Sequence, residues 1–525
     1  MHCMDGKDYS VFSILPPYNN LHAQVIRTDV TSGKLVDSSV AITLTYEAVA
    51  DTAGSINTIS STKTNFWNFS QKLFGPDLTP DHGLNLGEPN VSLPTPSHTP
   101  TTMSYDATNK WWRAEGIPLT PYPDDYGTNG GVKNFYPMVK VVARDGAKTV
   151  LASTSVVLPV SDEMSCKSCH ASNSGYGYAQ PAAGWVNDTT DMEKDWKKNI
   201  LRLHDEKFPT AIATANMGST YTGGTLLATA SAGQPVLCAA CHKSNALATG
   251  LKAGIKPLTE ALHGKHATVY KPATTTALDA LKTRDACYLC HPGSVTKCLR
   301  GPMGDAVDPS TGLPSIDCQS CHGSMSAVGK PGREGWLDEP NCQSCHDRAS
   351  SSSTPFVRYT SVFSSGTTVR ATVDTRFATN ANTPAAGKSL YRFSTGHGGL
   401  QCEACHGPTH AEYPSSHDND NVQSLALQGH TGTINECKVC HTTMPTTANG
   451  GPHGMHEVGQ AWVQDHHGKA VSRTDCQQCH GTTSAGSPLA VVRTAVTLNA
   501  GNLGTKSFAA GAKVTCWSCH NGPNP

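Results

Sequence analysis

Nine times along this chain two cysteines stand three positions apart with a histidine directly after the second. The runs are Cys166, Cys169 and His170; Cys238, Cys241 and His242; Cys287, Cys290 and His291; Cys318, Cys321 and His322; Cys342, Cys345 and His346; Cys402, Cys405 and His406; Cys437, Cys440 and His441; Cys476, Cys479 and His480; and Cys516, Cys519 and His520. This spacing is the attachment signature of c-type haem. Its reason is chemical. Two thiols add to the two vinyl groups on one edge of a porphyrin, and two intervening residues set the sulfurs about one helical turn apart to match that edge. The next residue then turns its imidazole toward the iron as the proximal ligand. Nine haem c groups are therefore expected, held by these cysteines. Zinc ribbons join cysteine pairs into four-ligand sites and need no histidine after every pair. A thioredoxin-like motif occurs once near a βαβ pattern.

A six-coordinate iron needs a second ligand. Beyond the nine proximal histidines, 15 remain, so nine bis-histidine sites are within supply. His204 is the best placed: residues 191–207 read as an amphipathic helix in which Met192, Trp196, Ile200 and His204 recur at every fourth position on one stripe. His397, His410, His430 and His466 each stand within ten residues of a motif. They lie too close to reach round to the far face of that haem, so each is expected to serve a different one. His263 and His266 share a second helical segment, in which Gly264 is expected to weaken the helix. His456 pairs with His453 in a similar short run, and His22 sits on an alternating stretch far from any motif, as either a ligand across a boundary or a strand residue. His82, His98 and His417 fall in polar loops and are expected to face solvent. Met303 and Met325 are weaker alternatives as axial ligands.

Cys3 and Cys298 belong to no motif. Haem c is attached outside the cytoplasm, where thiols oxidise, so a Cys3–Cys298 disulfide is expected. The chain carries no charged, apolar and small-residue leader in this numbering, as in a mature or trimmed form. Its 40 basic and 41 acidic residues leave a formal charge of −1, which speaks against a nucleic-acid binder and a polybasic membrane surface. No uninterrupted apolar run is long enough for a transmembrane segment.

The elements that must position these groups divide at about residue 160. Residues 1–160 hold no motif but contain β-favourable runs over 40–46, 138–143 and 149–158, the last two flanking the turn signal Arg144-Asp-Gly-Ala-Lys148. A small all-β, sandwich-like domain is expected. Residues 161–525 form the nine-haem domain. It is expected to be mostly irregular, with short helices at the attachment sites, because 37% hydrophobic content with 48 Gly and 33 Pro suits a chain whose core is its cofactors. The motif starts at Cys318 and Cys342 are only 24 residues apart, so those haems are expected to be neighbours. Residues 369–377 alternate like a strand, so a β excursion is expected there.

The motif array resembles the large extracellular multihaem c-type cytochromes of metal-reducing bacteria, the class that includes the cytochrome nanowires. Flanking phrases are similar too: Met1-His-Cys-Met-Asp-Gly, Ser10-Val-Phe-Ser-Ile-Leu-Pro-Pro-Tyr18, Tyr391-Arg-Phe-Ser-Thr-Gly-His397 and Gly407-Pro-Thr-His-Ala-Glu-Tyr-Pro414. The resemblance implies bis-histidine haems in a continuous stack, long-range electron transfer, and a place at or beyond the outer cell surface. It implies redox partner cytochromes or extracellular acceptors as partners and, in polymeric members, a conductive homopolymer whose subunits lend a histidine to their neighbours. The leading reading is an electron conduit rather than an enzyme. The alternative is a multihaem reductase of nitrogen or sulfur oxyanions with one open-site haem, and a third reading is a surface binding protein using the β domain.

Overall fold

The structure is a computed structural model. It describes residues 2–28, 33–83, 93–164, 166–244, 247, 250, 252–333, 338–348, 356–371, 391–395, 397–443, 459–469, 476–477, 480, 483–486, 490–492, 495–509 and 511–519. The chain forms two compact units. One holds residues 1–23, 38–338 and 410–426, with the first four motifs; the other holds 24–37, 339–409 and 427–525, with the last five.

In the first unit, residues 18–157 build two antiparallel sheets. The strands are β1 (Tyr18–Ala23), β2 (Ile42–Val49), β3 (Thr101–Thr102), β4 (Ser104–Asp106), β5 (Trp111–Pro118), β6 (Met138–Asp145) and β7 (Val150–Val157). One sheet runs β7-β6-β2-β3 and the other β1-β5-β4. The chain passes from the first to the second at buried Met103, whose N–H donates to the Leu44 carbonyl at 2.9 Å. In β2 the apolar residues Leu44, Tyr46 and Ala48 alternate onto a buried face, the period-two pattern of a half-buried strand. Central β6 is buried along Met138–Ala143 except at Lys140. The expected hairpin over 144–148 joins β6 to β7, with Lys148 at φ +68°.

The boundary expected at residue 160 is not where the chain divides, and the N-terminal segment is the reason. His2–Cys3 pairs in parallel with Val160–Ser161, and Phe12–Ser13 pairs in parallel with Val236–Leu237, just before the second motif. The Asp5 carboxylate accepts from Ser13 Oγ (2.7 Å) and from the N–H groups of Ile14 (2.7 Å) and Leu15 (3.1 Å). Lys197, fully buried, donates to the carbonyls of Asp5 (3.0 Å) and Asp8 and faces the rings of Tyr9, Phe12 and Trp196. A buried ammonium is tolerated only when its donors are satisfied, and these carbonyls and ring faces satisfy them.

Two helices of the first unit carry histidines that face the motifs, and a third packs on the N-terminal segment. Helix α1 (Phe66–Phe74) buries Phe66 edge-on to Tyr9 and Tyr18. Helix α2 (Met192–Lys207) starts where the Asp191 carboxylate accepts from the Glu193 N–H at 2.8 Å, with acids in its first turn and His204 and Lys207 in its last, matching the helix dipole. It buries Trp196 and Leu201 with Phe12, Tyr221, Leu226 and Val236. Met192, expected on that stripe, is 68% exposed, because it stands in the first turn beyond the packed face. Helix α3 (Leu258–His266) runs through Gly264 without a break. Gly264 and Gly329 bring two backbones together: a Cβ on Gly329 would come 2.7 Å from the Gly264 Cα.

The second unit is short ribbons and turns. Ile26–Arg27 pairs with Lys34–Leu35, His346–Arg348 with Phe356–Arg358, Phe363–Ser365 with Thr368–Val369, and Val496–Asn499 with Thr505–Phe508. Most of the expected strand over 369–377 lies outside the described residues.

Candidate metal centres

Most motifs fold into a single helical turn, as at Lys167–His170, Asp285–Tyr288, Cys318–His322 and Cys402–His406, or into a 3-10 turn, as at Cys238–Ala240, Cys342–Ser344, Cys437–Val439 and Cys516–Ser518. The N–H of the second cysteine donates to the carbonyl of the first at 3.2 Å in Cys169, 3.2 Å in Cys241, 3.0 Å in Cys290 and 3.1 Å in Cys345 and Cys440. The histidine N–H returns to the same carbonyl at 3.0 Å in His170 and His242, 2.8 Å in His291 and 2.9 Å in His441. Side chains at i, i+3 and i+4 of such a turn share one face, so two sulfurs and one imidazole project together.

Five motif histidines face a histidine from outside the motifs. Ring centroids are 6.4 Å apart for His170 and His266, 6.4 Å for His204 and His242, 5.9 Å for His263 and His291, 6.2 Å for His322 and His410, and 5.9 Å for His397 and His441. Every non-motif member is one of the expected distal residues. His397 and His410 also face histidines of motifs other than their sequence neighbours. Two metal–nitrogen bonds of about 2.0–2.1 Å, each extended by about 1.15 Å from nitrogen to ring centre for five-membered rings with bonds near 1.33 Å, require a centroid separation of about 6.3–6.5 Å. The observed pairs fall on or slightly inside that value. Among the described residues no three or more His, Cys, Asp or Glu side chains converge on a metal-sized point. The facing imidazoles come in twos, the number an iron needs when a macrocycle fills its four equatorial positions.

The hydrogen bonds of these rings aim their lone pairs. Nδ1–H of His263 donates to the Thr259 carbonyl at 2.9 Å and that of His266 to the Leu262 carbonyl at 2.7 Å, each one turn back along α3. His242 Nδ1–H donates to the Lys256 carbonyl at 2.8 Å and His480 Nδ1–H to the Val514 carbonyl at 3.1 Å. A carbonyl only accepts, so Nδ1 carries the proton and Nε2 is left as the coordinating atom, the usual second layer of a metal-bound histidine. The Nδ1 atoms of His170 and His204 are buried without a hydrogen-bond partner among the described residues. Burial pulls His170, His291 and His322 down to about 4, reinforced by the facing rings of His266, His263 and His410 respectively. It lowers His204 and His263 as well. These imidazoles are neutral at pH 7, the form a metal binds.

Packing orders the first four sites. Helix α2 carries His204 of the second site and also holds the first motif: Asn199 Nδ2 donates to the His170 carbonyl at 3.0 Å, and Asp195 accepts from Ser172 N–H and Oγ, both at 2.6 Å. Cys166, Cys238 and Cys241 line one apolar cluster. Cys290 of the third motif interacts with both Cys166 and Cys169 of the first. Helix α3 supplies His266 to the first site and His263 to the third. The Cys287 and Cys318 thiols interact, which raises Cys287 and lowers Cys318, so the third and fourth sites adjoin. The order in space is second, first, third, fourth. In the other unit Cys405 and Cys440 adjoin. The motifs at Cys318 and Cys342, expected as neighbours, fall in separate units.

Other expected ligands sit elsewhere. His22 is a strand residue: it stacks on Trp111 at 4.2 Å and its Nε2 lies 3.4 Å from Glu115 Oε1. His430 donates Nδ1–H to the Thr431 carbonyl at 2.9 Å, with Nε2 3.6 Å from Glu436. His456, the side chain of His466, Cys479 and His520 lie outside the described residues. His417 does not face solvent as expected; it is half-buried with its ring 3.7 Å from that of Tyr136. Cys3 and Cys298 are brought into each other's electrostatic field but remain free thiols, not the expected disulfide. Cys298 Sγ lies 3.6 Å from Nδ1 of His410 instead. The shared use of α3 by two sites was not foreseen, although the i, i+3 spacing of its histidines carried the signal. No helix among the described residues is long and apolar enough to cross a membrane. No family model, curated protein or solved structure matches the chain.

Proposed function

We propose that this chain is a multihaem c-type cytochrome, an electron conduit with nine covalently attached, bis-histidine haem c groups, working outside the cytoplasm between redox partner cytochromes or extracellular acceptors. The observation that carries the proposal is the set of five histidine pairs, each joining an attachment motif to a distant imidazole at 5.9–6.4 Å. Bound there, the haem would supply a one-electron iron couple. The protein's part is positional. Nδ1–carbonyl bonds fix the rings of His242, His263 and His266. Burial keeps His170, His291 and His322 neutral and away from water. Shared helices and neighbouring cysteines hold successive sites side by side, the arrangement that electron hopping requires.

Two measurements on the intact protein test the proposal together. Mass spectrometry is expected to give nine haem-sized additions, and low-temperature electron paramagnetic resonance of the ferric protein is expected to give low-spin iron only. A colourless product overturns the haem reading. Nine haems with a large high-spin signal keep the cofactor and favour the open-site reductase.

A further inference from the structure

Arg333 closes a tight turn after the fourth motif. Its N–H donates to the Lys330 carbonyl at 3.1 Å, and Gly332, at φ +82°, supplies the left-handed step that turns the chain back. The side chain points into the protein rather than to water. Its Nη1 donates to the carbonyl of His322 at 3.1 Å, so the guanidinium rests on the proximal residue of the fourth site. Its charge acts on the imidazoles of both His322 and His263, the latter a ligand candidate of the adjoining third site. Its Nε is buried and has no hydrogen-bond partner among the described residues. The nearby carboxylate of Asp338 stands 3.8 Å from that nitrogen, beyond hydrogen-bond reach, on a side chain 45% exposed.

A guanidinium presents a rigid fork of N–H donors matched to a carboxylate, and a buried donor left unpaired is costly. Among the described residues no carboxylate lies within hydrogen-bond distance of this Nε. The haem reading supplies one, because each c-type macrocycle carries two propionates. We propose that Arg333 is a cofactor-binding residue of the fourth site, gripping a propionate of the macrocycle held between His322 and His410 and lending its charge to the third site beside it. This inference rests on the haem reading above.

The test compares the wild-type holoprotein with R333Q and R333K by intact mass, electron paramagnetic resonance and a potentiometric titration of the visible bands. Removing the cation leaves a carboxylate unneutralised near iron, which favours the ferric state. R333Q is expected to keep its low-spin signals. One or two of its nine components are expected to show a ferrous-to-ferric ratio about tenfold lower at fixed potential, equivalent to 59 mV for a one-electron couple. Loss of a single haem-sized addition from R333Q supports the same grip. R333K keeps the charge without the fork and is expected to lie between the two. Nine haems with a titration unchanged in R333Q overturn the proposal. If R333Q is not recovered, R333K decides, and a wild-type titration from R333K overturns the fork. A wild-type protein without haem sinks the cytochrome reading itself, which is a separate outcome.

Discussion

His263 and His266 lie one helical turn apart on α3 yet face histidines of different motifs, so deleting each ring should damage a different site. Either residue replaced by alanine loses one Nδ1–carbonyl bond, worth about 1 kcal/mol. Alanine is the better helix former by up to about 0.7 kcal/mol. The two effects nearly cancel, and α3 is expected to persist in H263A and H266A. On the cytochrome reading each variant should keep nine covalent haems, and one of them would lose one of its two imidazole ligands, which would make about a ninth of the ferric iron high-spin. The low-spin signal that disappears should differ between them. The rings of His263 and His291 are nearly parallel, at 9°, whereas those of His170 and His266 stand at 75°. Parallel rings donate into the same iron d orbital and split it from its partner, giving an ordinary rhombic spectrum. Crossed rings leave the two orbitals close in energy and give a broad, strongly anisotropic one. H263A should therefore lose rhombic intensity and H266A anisotropic intensity, read by spin quantitation at low temperature. High-spin iron in neither variant, with nine haems still attached, would refute the ligand assignment. Loss of the same signal class from both would refute the division of α3 between two sites.

Other consequences are as direct. Arg300 and Asp420 form a buried two-bond ion pair at 2.6 and 2.8 Å, so R300A, which strands the carboxylate, should cost about 3–5 kcal/mol in denaturant unfolding. Gly329→Ala drives a methyl group into the Gly264 backbone; it should cost about 1–3 kcal/mol and raise the high-spin fraction at the first and third sites together. Burial pulls His2 down to about 4, while its Nε2–H donates to the Pro16 carbonyl at 2.6 Å. The unfolded chain takes up that proton near pH 6.5 and the folded one only near 4, so this contribution to stability is present above pH 6.5 and is lost as the pH falls through that window. The denaturation midpoint of H2Q should accordingly fall less steeply than the wild type's between pH 6.5 and 4.

The turns at the cysteine motifs were legible because their geometry is local. Two thiols and an imidazole at i, i+3 and i+4 need only one helical turn to converge, and residues 166–170 and 437–441 make it with backbone bonds alone. His204 was legible because a helix period is a local signal too. The identity of each partner was not. His266 meets His170 and His410 meets His322 across long stretches of chain, and nothing in a one-dimensional pattern encodes which loop closes on which. Three strands of the β domain were readable as β-favourable runs over 40–46, 138–143 and 149–158, yet its other strands and its boundary were not. The parallel pairing of Phe12–Ser13 with Val236–Leu237 joins segments more than two hundred residues apart, and a two-residue strand leaves no period to detect. His22 looked ambiguous because Trp111, the ring it stacks on, is remote in sequence and adjacent only through β1 and β5.

The same long-range closure explains how a chain with so little apolar content can be held together. On the cytochrome reading each site is a cross-link, since one side is tied covalently through the motif and the other by a distal imidazole. The five pairs join residues 170 and 266, 204 and 242, 263 and 291, 322 and 410, and 397 and 441. Treated like disulfides closing loops of about 28 to 96 residues, each removes roughly 3.6–4.7 kcal/mol of conformational entropy from the unfolded chain. The loops interlock: the closure at 170–266 encloses the one at 204–242, and α3 ends the first while opening the third. Interlocked closures restrict each other, so they do not add simply, and a chain stabilised in this way needs no continuous hydrophobic core around its ligands. It needs short capped elements and imidazoles held in the right tautomer: α2 meets the first need with Asp191 at its start, and α3 the second with two i−4 carbonyl bonds to its histidines.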